Sequence, residues 1–332
     1  MRRRWPLAAA GVGLAATAGT VVALSQVGRR WRTDTNAVAA AGRTVPHDIV
    51  DHFVAVDDGG HIHAVERGEG PPIVLVHGVT LGVATWAPQL RALADAGHRV
   101  IAIGQRGHGR STAGEGGYSL ERLADDLAQV LDALDVRHGV LVGHSMGGMV
   151  SQLLAVRRSA DFHRHVAALV LVATTAGPIV TGPRSAFVPF FLSGASRGLR
   201  QAERRGRGIL PHDAVGPYAA RVCFGANPSA VDLELTRSML KAMSPSAVSG
   251  LLPGLLAFDL SRQITTIDVP TSVVVGTRDV LTPPRLARAM AAAIPASRLV
   301  VLEGCGHMVM LERAEELDRL LAEVSAEAAA AS

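Results

Sequence analysis

The sequence contains little cysteine, little lysine and few aromatic residues. Its 332 residues include two cysteines, Cys223 and Cys305, and one lysine, Lys241, and aromatic residues make up 4% of the chain. The cysteines lack the C-x-x-C or Cys/His spacing that is typical of metal sites. The sequence therefore predicts no metal site, and it leaves open whether the two cysteines form a disulfide.

A net positive charge is also absent beyond the first 32 residues. The formal net charge is +4, but residues 1–32 contain six arginines and no acidic residue, so the remaining chain has a formal charge of −2. A nearly neutral body has little electrostatic attraction for a phosphate backbone, so we predict no nucleic-acid partner.

The chain is long enough for one large α/β domain with insertions or for two small domains.

Charged residues are absent from residues 5–28, and arginines flank this stretch on both sides. Its apolar part would form about 30 Å of helix, which is the hydrocarbon thickness of a bilayer. We therefore predict that residues 1–32 are an N-terminal membrane anchor that crosses the bilayer once through residues 5–28. Three arginines on each side of the stretch leave its orientation, and so the side of the membrane, open.

Two alternatives to an anchor remain open at the N-terminus. In the first, Arg3 and Arg4 belong to a twin-arginine export signal, and residues 37–39 are the candidate cleavage site. In the second, the protein is soluble and the apolar stretch is an alanine-rich helix. In each case we predict that residues 33–46 form a linker to the folded body.

From residue 47 to about residue 326, short apolar runs alternate with amphipathic stretches of helical spacing. The first two strands are joined by a turn signal and predict an antiparallel hairpin at the sheet edge. The predicted strands are residues 49–56, 62–67, 73–76, 99–103, 140–142, 167–172, 272–275 and 299–302. Helices are predicted at residues 85–96, 120–135, 146 onward, 284–294 and 311–326. This alternation predicts a mostly parallel eight-stranded sheet with helices on both faces.

The alternation is interrupted between residues 177 and 262. This stretch contains five of the seven phenylalanines and an arginine cluster at residues 204–207. We predict that it is a mainly helical cap insertion over the active end of the sheet, and its phenylalanines favour an apolar substrate. Residues 327–332 are predicted to form a short tail.

The motif that organises the chemistry is G-x-S-x-G at residues 143–147. A sharp turn between a buried strand and a helix exposes the serine hydroxyl, and its glycines keep side chains out of the bend. The backbone N–H of Met146, at the start of the helix, would face an oxyanion formed at the serine. We therefore predict that Ser145 is a nucleophile and that Met146 supplies one oxyanion donor.

A serine hydroxyl becomes a good nucleophile when a base takes its proton, and a carboxylate fixes the tautomer of that base. Asp279 directly follows the predicted strand 272–275, and His307 follows the predicted strand 299–302. The chain order Ser145, Asp279, His307 is the one that nucleophile-elbow hydrolases use. We predict that these three residues form a catalytic triad.

Two further assignments depend on strand ends. Asp259 and Asp268 are rivals to Asp279, but neither follows a strand so directly. The backbone N–H of Val79 comes just after His77-Gly78, at the end of an earlier predicted strand. We predict that this N–H is the second donor of the oxyanion hole.

Taken together, these motifs resemble the α/β-hydrolase superfamily over about residues 47–326. The matching pieces are His77-Gly78, Arg106-Gly107-His108-Gly109-Arg110-Ser111, residues 143–148, Gly276-Thr277-Arg278-Asp279 and Gly306-His307. The chain is most similar to the esterase, lipase and cofactor-free haloperoxidase group. The resemblance implies an α/β-hydrolase fold, no cofactor, and a cap between the sixth and seventh strands. Gly104 departs from the pattern, because many relatives have an acid there.

The predicted function is hydrolysis of carboxylic esters, with small or lipid-like acyl groups, through an acyl-enzyme. C–C bond hydrolysis, lactone opening, perhydrolysis and acyl transfer use the same triad and remain open, as does the oligomeric state. An alternative of another class is a non-catalytic ligand-binding protein on the same scaffold. Such proteins typically lose a triad residue, whereas this sequence has candidates for all three.

Overall fold

The computed structural model describes residues 37–179 and 220–331. The predicted anchor or export signal in residues 1–32 lies outside these ranges, as do residues 180–219 of the predicted cap. Among the helices in the described ranges, none is both long enough and apolar enough to cross a membrane.

Eight strands form one sheet, as the sequence predicts. They are β1 (Val50–Ala55), β2 (His61–Arg67), β3 (Pro72–Val76), β4 (Arg99–Ile103), β5 (Gly139–His144), β6 (Val166–Val172), β7 (Thr271–Gly276) and β8 (Ser297–Leu302). Their order across the sheet is β1-β2-β4-β3-β5-β6-β7-β8. β2 pairs antiparallel with β1 and with β4, and the other pairs are parallel. The prediction of a mostly parallel sheet with an antiparallel hairpin at its edge is confirmed.

The helices of the described ranges lie mainly between these strands. They are α1 (Ala37–Gly42), α2 (Ala87–Asp95), α3 (Leu120–Ala133), α4 (Met146–Arg157), α5 (Ser159–His165), α6 (Ala230–Ala242), α7 (Pro245–Ala257), α8 (Pro284–Ala293), α9 (Val309–Glu312) and α10 (Ala314–Ala331). Ser119 caps α3 through a hydrogen bond from the Arg122 N–H to its Oγ atom, at 3.0 Å. An N-cap serine stabilises a helix because it satisfies one of the unpaired N–H groups of the first turn.

Alternate residues of each central strand enter two separate hydrophobic cores. In β3, Val74 and Val76 face one core, whereas Ile73 and Leu75 face the other. Residues of α3, α4 and α8 cover the first face of the sheet, and residues of α2 and α10 cover the second. Because both faces are buried, the strands are continuous apolar runs without polar alternation.

Two helices differ from their predicted bounds. The stretch predicted as one helix at residues 85–96 is divided into a 3₁₀ turn, Val83–Trp86, and α2, which has a proline in its first turn. Proline is tolerated there because its missing N–H would have no partner within the helix. α10 continues to Ala331, so most of the predicted tail at residues 327–332 is helical. Alanine, which dominates this stretch, has the highest intrinsic helix propensity.

The second half of the predicted linker is attached to the folded body. α1 lies within it, and Arg43 forms an ion pair with Asp232 of α6 and donates to the carbonyl of Leu311 at 3.0 Å. Arg91 of α2 donates to the carbonyls of Ala41 and Thr44, at 3.1 and 2.7 Å. The guanidinium groups of Arg43 and Arg91 therefore hold residues 41–44 in place through contacts between residues that are distant in sequence.

The described part of the predicted cap contains α6 and α7, between β6 and β7. Ser229 and Ser244 occupy the N-cap positions of the two helices. Leu251 and Leu255 of α7 join the core that α3 also lines. α7 therefore lies on the same side of the sheet as α3.

Candidate active site

Ser145 lies in the turn that joins β5 to α4. Its φ and ψ angles are 52° and −119°, a conformation that residues other than glycine rarely adopt. A residue in such a strained turn is held there by its surroundings, which is typical of the nucleophile elbow. The serine is half-buried, whereas its neighbours His144 and Met146 are fully buried.

The two glycines of the motif allow the backbone segments around Ser145 to approach each other closely. A Cβ atom at Gly143 would lie 2.6 Å from the Cα of Gly148. A Cβ atom at Gly147 would lie 2.3 Å from the carbonyl oxygen of Val76, at the end of β3. Neither position can hold a larger residue unless the backbone moves, so the motif is required by packing as well as by the turn.

Hydrogen bonds hold the backbone of Ser145 in its unusual conformation. Its N–H donates to the carbonyl of Val172 at 3.0 Å. Its own carbonyl accepts from the Thr174 hydroxyl at 2.7 Å and from the N–H groups of Gly148 and Met149. The strained turn is therefore supported from the end of β6 as well as from its own helix.

Asp279 and His307, the predicted acid and base, are brought together at the ends of β7 and β8. The Nδ1 atom of His307 lies 2.9 Å from Oδ2 of Asp279, and both side chains are buried. Because a carboxylate accepts hydrogen bonds, the proton of a neutral His307 lies on Nδ1, which leaves Nε2 as the acceptor. This is the tautomer that a general base requires.

The carboxylate of Asp279 is held on both oxygens. Oδ1 accepts from the backbone N–H groups of Leu281 and Thr282, each at 2.9 Å. Oδ2 accepts from the Thr282 hydroxyl at 2.7 Å, in addition to His307. Thr282 was not predicted as a site residue, although its position three residues after an aspartate is a recognisable turn signal.

The residue before the serine connects the elbow to the histidine. The rings of His144 and His307 have centroids 4.8 Å apart, and Nε2 of His144 lies 3.0 Å from the backbone carbonyl oxygen of His307. Since a carbonyl only accepts, His144 donates this bond. Ser145 and His307 are therefore on adjacent loops at the carboxyl end of the sheet.

The rival aspartates lie elsewhere. Oδ1 of Asp259 accepts from the backbone and hydroxyl of Ser261. Asp268 is exposed and lies 2.7 Å from His163. Asp259 and Asp268 are therefore bonded to other residues, and Asp279 is the carboxylate that is hydrogen-bonded to His307.

The predicted oxyanion donors flank the serine. A Cβ atom at Gly78 would lie 3.0 Å from Cβ of Ser145, so the Gly78 backbone lies directly against the elbow. Among the described residues, none accepts a hydrogen bond from the backbone N–H of Val79 or of Met146. The N–H of Met146 is one of the first N–H groups of α4, which have no partner within the helix. Within the described part of the chain, both N–H groups are thus without an acceptor.

Two other histidines at this end of the sheet are buried and neutral. Burial, together with the neighbouring His108, lowers the pKa of His77 to about 3. Burial is also the main reason why the pKa of His144 is well below the ordinary value, with His307 as a second cause. Because both stay uncharged at neutral pH, neither adds positive charge next to Ser145.

The loop that holds His307 is bonded to the chain between β6 and β7. The N–H of His307 donates to the carbonyl of Cys223 at 2.7 Å. Glu312 accepts from the N–H groups of Gly225 and Gly306, at 2.8 and 2.9 Å. Glu312 was not predicted as a site residue, because its bond to Gly225 brings together segments that are far apart in the sequence.

The two cysteines lie in or beside this loop. Cys305 is a buried free thiol, so the disulfide that the sequence left open is not formed in this structure. Burial raises the pKa of the Cys223 thiol to about 12 and also raises that of Cys305. Within residues 37–179 and 220–331, no group of three or more histidine, cysteine, aspartate or glutamate side chains is arranged to hold a metal ion.

Known proteins with similar sequences or folds include a haloperoxidase and esterases. The chain is 31% identical over 266 residues to a non-heme haloperoxidase from Rhodococcus erythropolis, which covers 77% of this chain and 92% of that protein. It is similar to a thermophilic esterase from Thermogutta terrifontis, with a TM-score of 0.69 and 28% identity over 85% of this chain and 99% of that one. An esterase from Exiguobacterium antarcticum has the same fold, with a TM-score of 0.72 and 22% identity over 83% of this chain and 99% of that one.

A family match covers most of the chain. Residues 71–314 match the family described as alpha/beta hydrolase fold. This range includes Ser145, Asp279 and His307, together with both predicted oxyanion donors. The chain belongs to the alpha/beta hydrolase fold family, as its motifs predict.

Proposed function

We propose that this protein is a serine hydrolase that cleaves carboxylic esters through an acyl-enzyme on Ser145. The observation that carries the proposal is a strained serine turn whose neighbour, His144, packs against a histidine hydrogen-bonded to buried Asp279. Two N–H groups without partners among the described residues flank the same serine. The esterases among the structural neighbours support this class of substrate.

In the proposed mechanism, Nε2 of His307 takes the proton of Ser145 Oγ as that oxygen attacks the ester carbonyl. The N–H groups of Val79 and Met146 stabilise the oxyanion. His307 then gives the proton to the departing alcohol, which leaves the acyl group on Ser145. Water attacks the acyl group with His307 again as the base, and the acid is released.

The phenylalanines of the predicted cap were the reason for expecting an apolar substrate, and the structure gives this expectation less support. Of the five phenylalanines between residues 177 and 262, two lie in described residues, and both of these, Phe224 and Phe258, are buried in the hydrophobic cores. Phe187, Phe190 and Phe191 lie outside the described residues. The preference for an apolar acyl group is therefore a proposal, and the chain-length selectivity of the enzyme tests it.

The test is hydrolysis of p-nitrophenyl esters of increasing acyl length by the full chain. Ser145→Ala should lower kcat by at least about 10³-fold, because removing the nucleophile leaves only binding and the oxyanion hole. The control is Ser159→Ala, since Ser159 is an exposed serine at the start of α5, and it should retain wild-type rates. Equal background rates in wild type and Ser145→Ala would contradict ester hydrolysis.

A further inference from the structure

His77 is a buried histidine beside the oxyanion site, and it has no part in the acid–base steps of the proposed mechanism. Its exposed fraction is 0%. Its Nδ1 atom lies 2.7 Å from the carbonyl oxygen of Gly78, and its Nε2 atom lies 3.0 Å from the backbone nitrogen of Gln105. A carbonyl only accepts and a backbone N–H only donates, so these partners place the single proton of His77 on Nδ1.

The bond to Gly78 determines the direction of the next N–H. The carbonyl of Gly78 and the N–H of Val79 belong to one planar peptide unit, and in a trans peptide they point in opposite directions. No cis peptide bond occurs among the described residues. Because His77 holds the carbonyl on its own side, the Val79 N–H must point away from the His77 ring.

We propose that His77 is a positioning residue for the oxyanion hole, holding the Gly78–Val79 peptide so that the Val79 N–H faces the oxyanion formed at Ser145. This inference rests on the proposed function, since it assigns His77 a role in the same reaction. The Gly78 backbone already lies against the serine, with 3.0 Å between a Cβ placed there and Cβ of Ser145. A rotation of this one peptide would therefore remove the donor without moving the elbow.

The loop needs such a restraint because it is strained and has few other bonds. Thr80 has a φ of 66°, a left-handed conformation that is unfavourable for a β-branched residue. The other hydrogen bond to the Gly78 carbonyl comes from the N–H of Leu81 and is longer, at 3.3 Å. His77 is itself fixed by Gln105, whose backbone bonds its ring and whose side chain donates to its carbonyl.

Three substitutions separate the two hydrogen bonds of His77. His77→Asn retains a donor near the position of Nδ1, His77→Gln places its amide near the position of Nε2, and His77→Leu removes both bonds. All three are measured in the full chain, with thermal unfolding to confirm folding. The kinetic measurements are kcat and KM for a p-nitrophenyl ester, the inhibition constant of a boronic acid, and the rate constant for phosphonylation of Ser145 by a fluorophosphonate.

We expect His77→Leu and His77→Gln to lower kcat by about 10- to 100-fold, less than the loss of an oxyanion donor outright, with little change in KM. The boronic acid, which mimics the tetrahedral transition state, should bind more weakly by the same factor. His77→Asn should retain most of the wild-type kcat. A purely structural role would change unfolding without this difference between Asn and Gln.

Several results would overturn the inference. Wild-type kcat in His77→Leu would do so, as would equal losses in the Asn and Gln variants, or a loss confined to KM. If His77→Leu does not fold, the Asn and Gln pair still decides the question. If wild type hydrolyses no ester, the proposed function fails, and the phosphonylation rates of Ser145 in the three variants still test His77. An unreactive Ser145 in wild type would overturn both.

Discussion

Asp279 illustrates how one residue is prepared for its proposed role. It carries a buried carboxylate that accepts hydrogen bonds from the N–H groups of Leu281 and Thr282, the Thr282 hydroxyl and the ring of His307. Backbone and threonine donors fix the rotation of the carboxylate, and the remaining direction is the one that meets Nδ1. The carboxylate therefore selects the tautomer of His307 in which Nε2 is free to accept a proton.

At this scale, Asp279→Asn should lower kcat by about 10³- to 10⁴-fold, because an amide can present a donor to Nδ1 and so stabilise the wrong tautomer of His307. The fold should remain, since the substitution conserves volume. The measurement is ester hydrolysis beside circular dichroism. Asp268→Asn is the control, because Asp268 contacts surface His163, and it should keep wild-type kinetics. A large loss in the control, or none in Asp279→Asn, would contradict the assignment.

Among the structural elements, the loop after β8 depends on a segment from another part of the chain. His307 donates its N–H to Cys223, and the N–H of Ala226 donates to Gly304 at 3.2 Å. Glu312 in α9 joins the same two segments, because its two carboxylate oxygens accept from Gly225 and Gly306. The position of His307, the proposed general base, is therefore determined jointly by β8, α9 and the segment before α6.

Glu312→Gln tests this arrangement. The amide has one acceptor oxygen, so one of the two N–H groups loses its partner, and the free energy of unfolding should fall by about 1–3 kcal/mol. We also expect kcat to fall by about tenfold with a smaller change in KM, since a small displacement of His307 lowers the rate of proton transfer. Denaturant unfolding and ester kinetics measure the two effects. Glu316→Gln is the matched control, because Glu316 is an exposed residue of α10; a similar loss there would refute the role of Glu312.

At the scale of the whole molecule, a buried ion-pair network connects the edge hairpin of β1 and β2 to α3. Arg106 is fully buried and donates to both carboxylate oxygens of Asp58 and to both of Asp126, at 2.7 to 3.0 Å. Asp58 lies in the turn between β1 and β2, and Asp126 lies in α3. The guanidinium of Arg106 holds the pKa of Asp58 well below its usual range.

The lowered pKa of Asp58 makes the free energy of unfolding depend on pH. Because the folded pKa of Asp58 is below the unfolded value of about 4, its stabilising contribution is present above that value and is lost as the pH falls through the folded pKa. Asp58→Asn should lower the free energy of unfolding at pH 7 by about 1–3 kcal/mol. The difference from wild type should shrink as the pH is lowered from about 5 to 2.

Urea unfolding at several pH values measures this difference. Asp132→Asn is the control, because Asp132 is 61% exposed and lies 3.6 Å from Arg164, and exposed pairs contribute little. A difference between wild type and Asp58→Asn that stays constant with pH would contradict the argument.

The sequence by itself determined the elements and the positions at which chemistry is expected. Apolar runs located the central strands, because strands buried on both faces have no polar alternation, and a turn signal located the edge hairpin. Ser145, Asp279 and His307 were predicted from local patterns at strand ends, and parallel strands place their carboxyl ends at one edge of the sheet. Ser119, which caps α3, comes directly before an amphipathic stretch, the position at which a serine indicates an N-cap.

The tertiary structure alone decided which of these side chains meet and what holds them. It separated Asp279 from Asp259 and Asp268, joined His77 to Gln105, and placed Glu312 between two distant segments. It also attached residues 41–44 to the body through Arg43 and Arg91. Apart from Glu312 and Gly306, which are six positions apart, these partners are separated by 28 to 268 positions in the chain. Local patterns carry information about strands, turns and caps, whereas contacts across such separations are determined by how the elements pack.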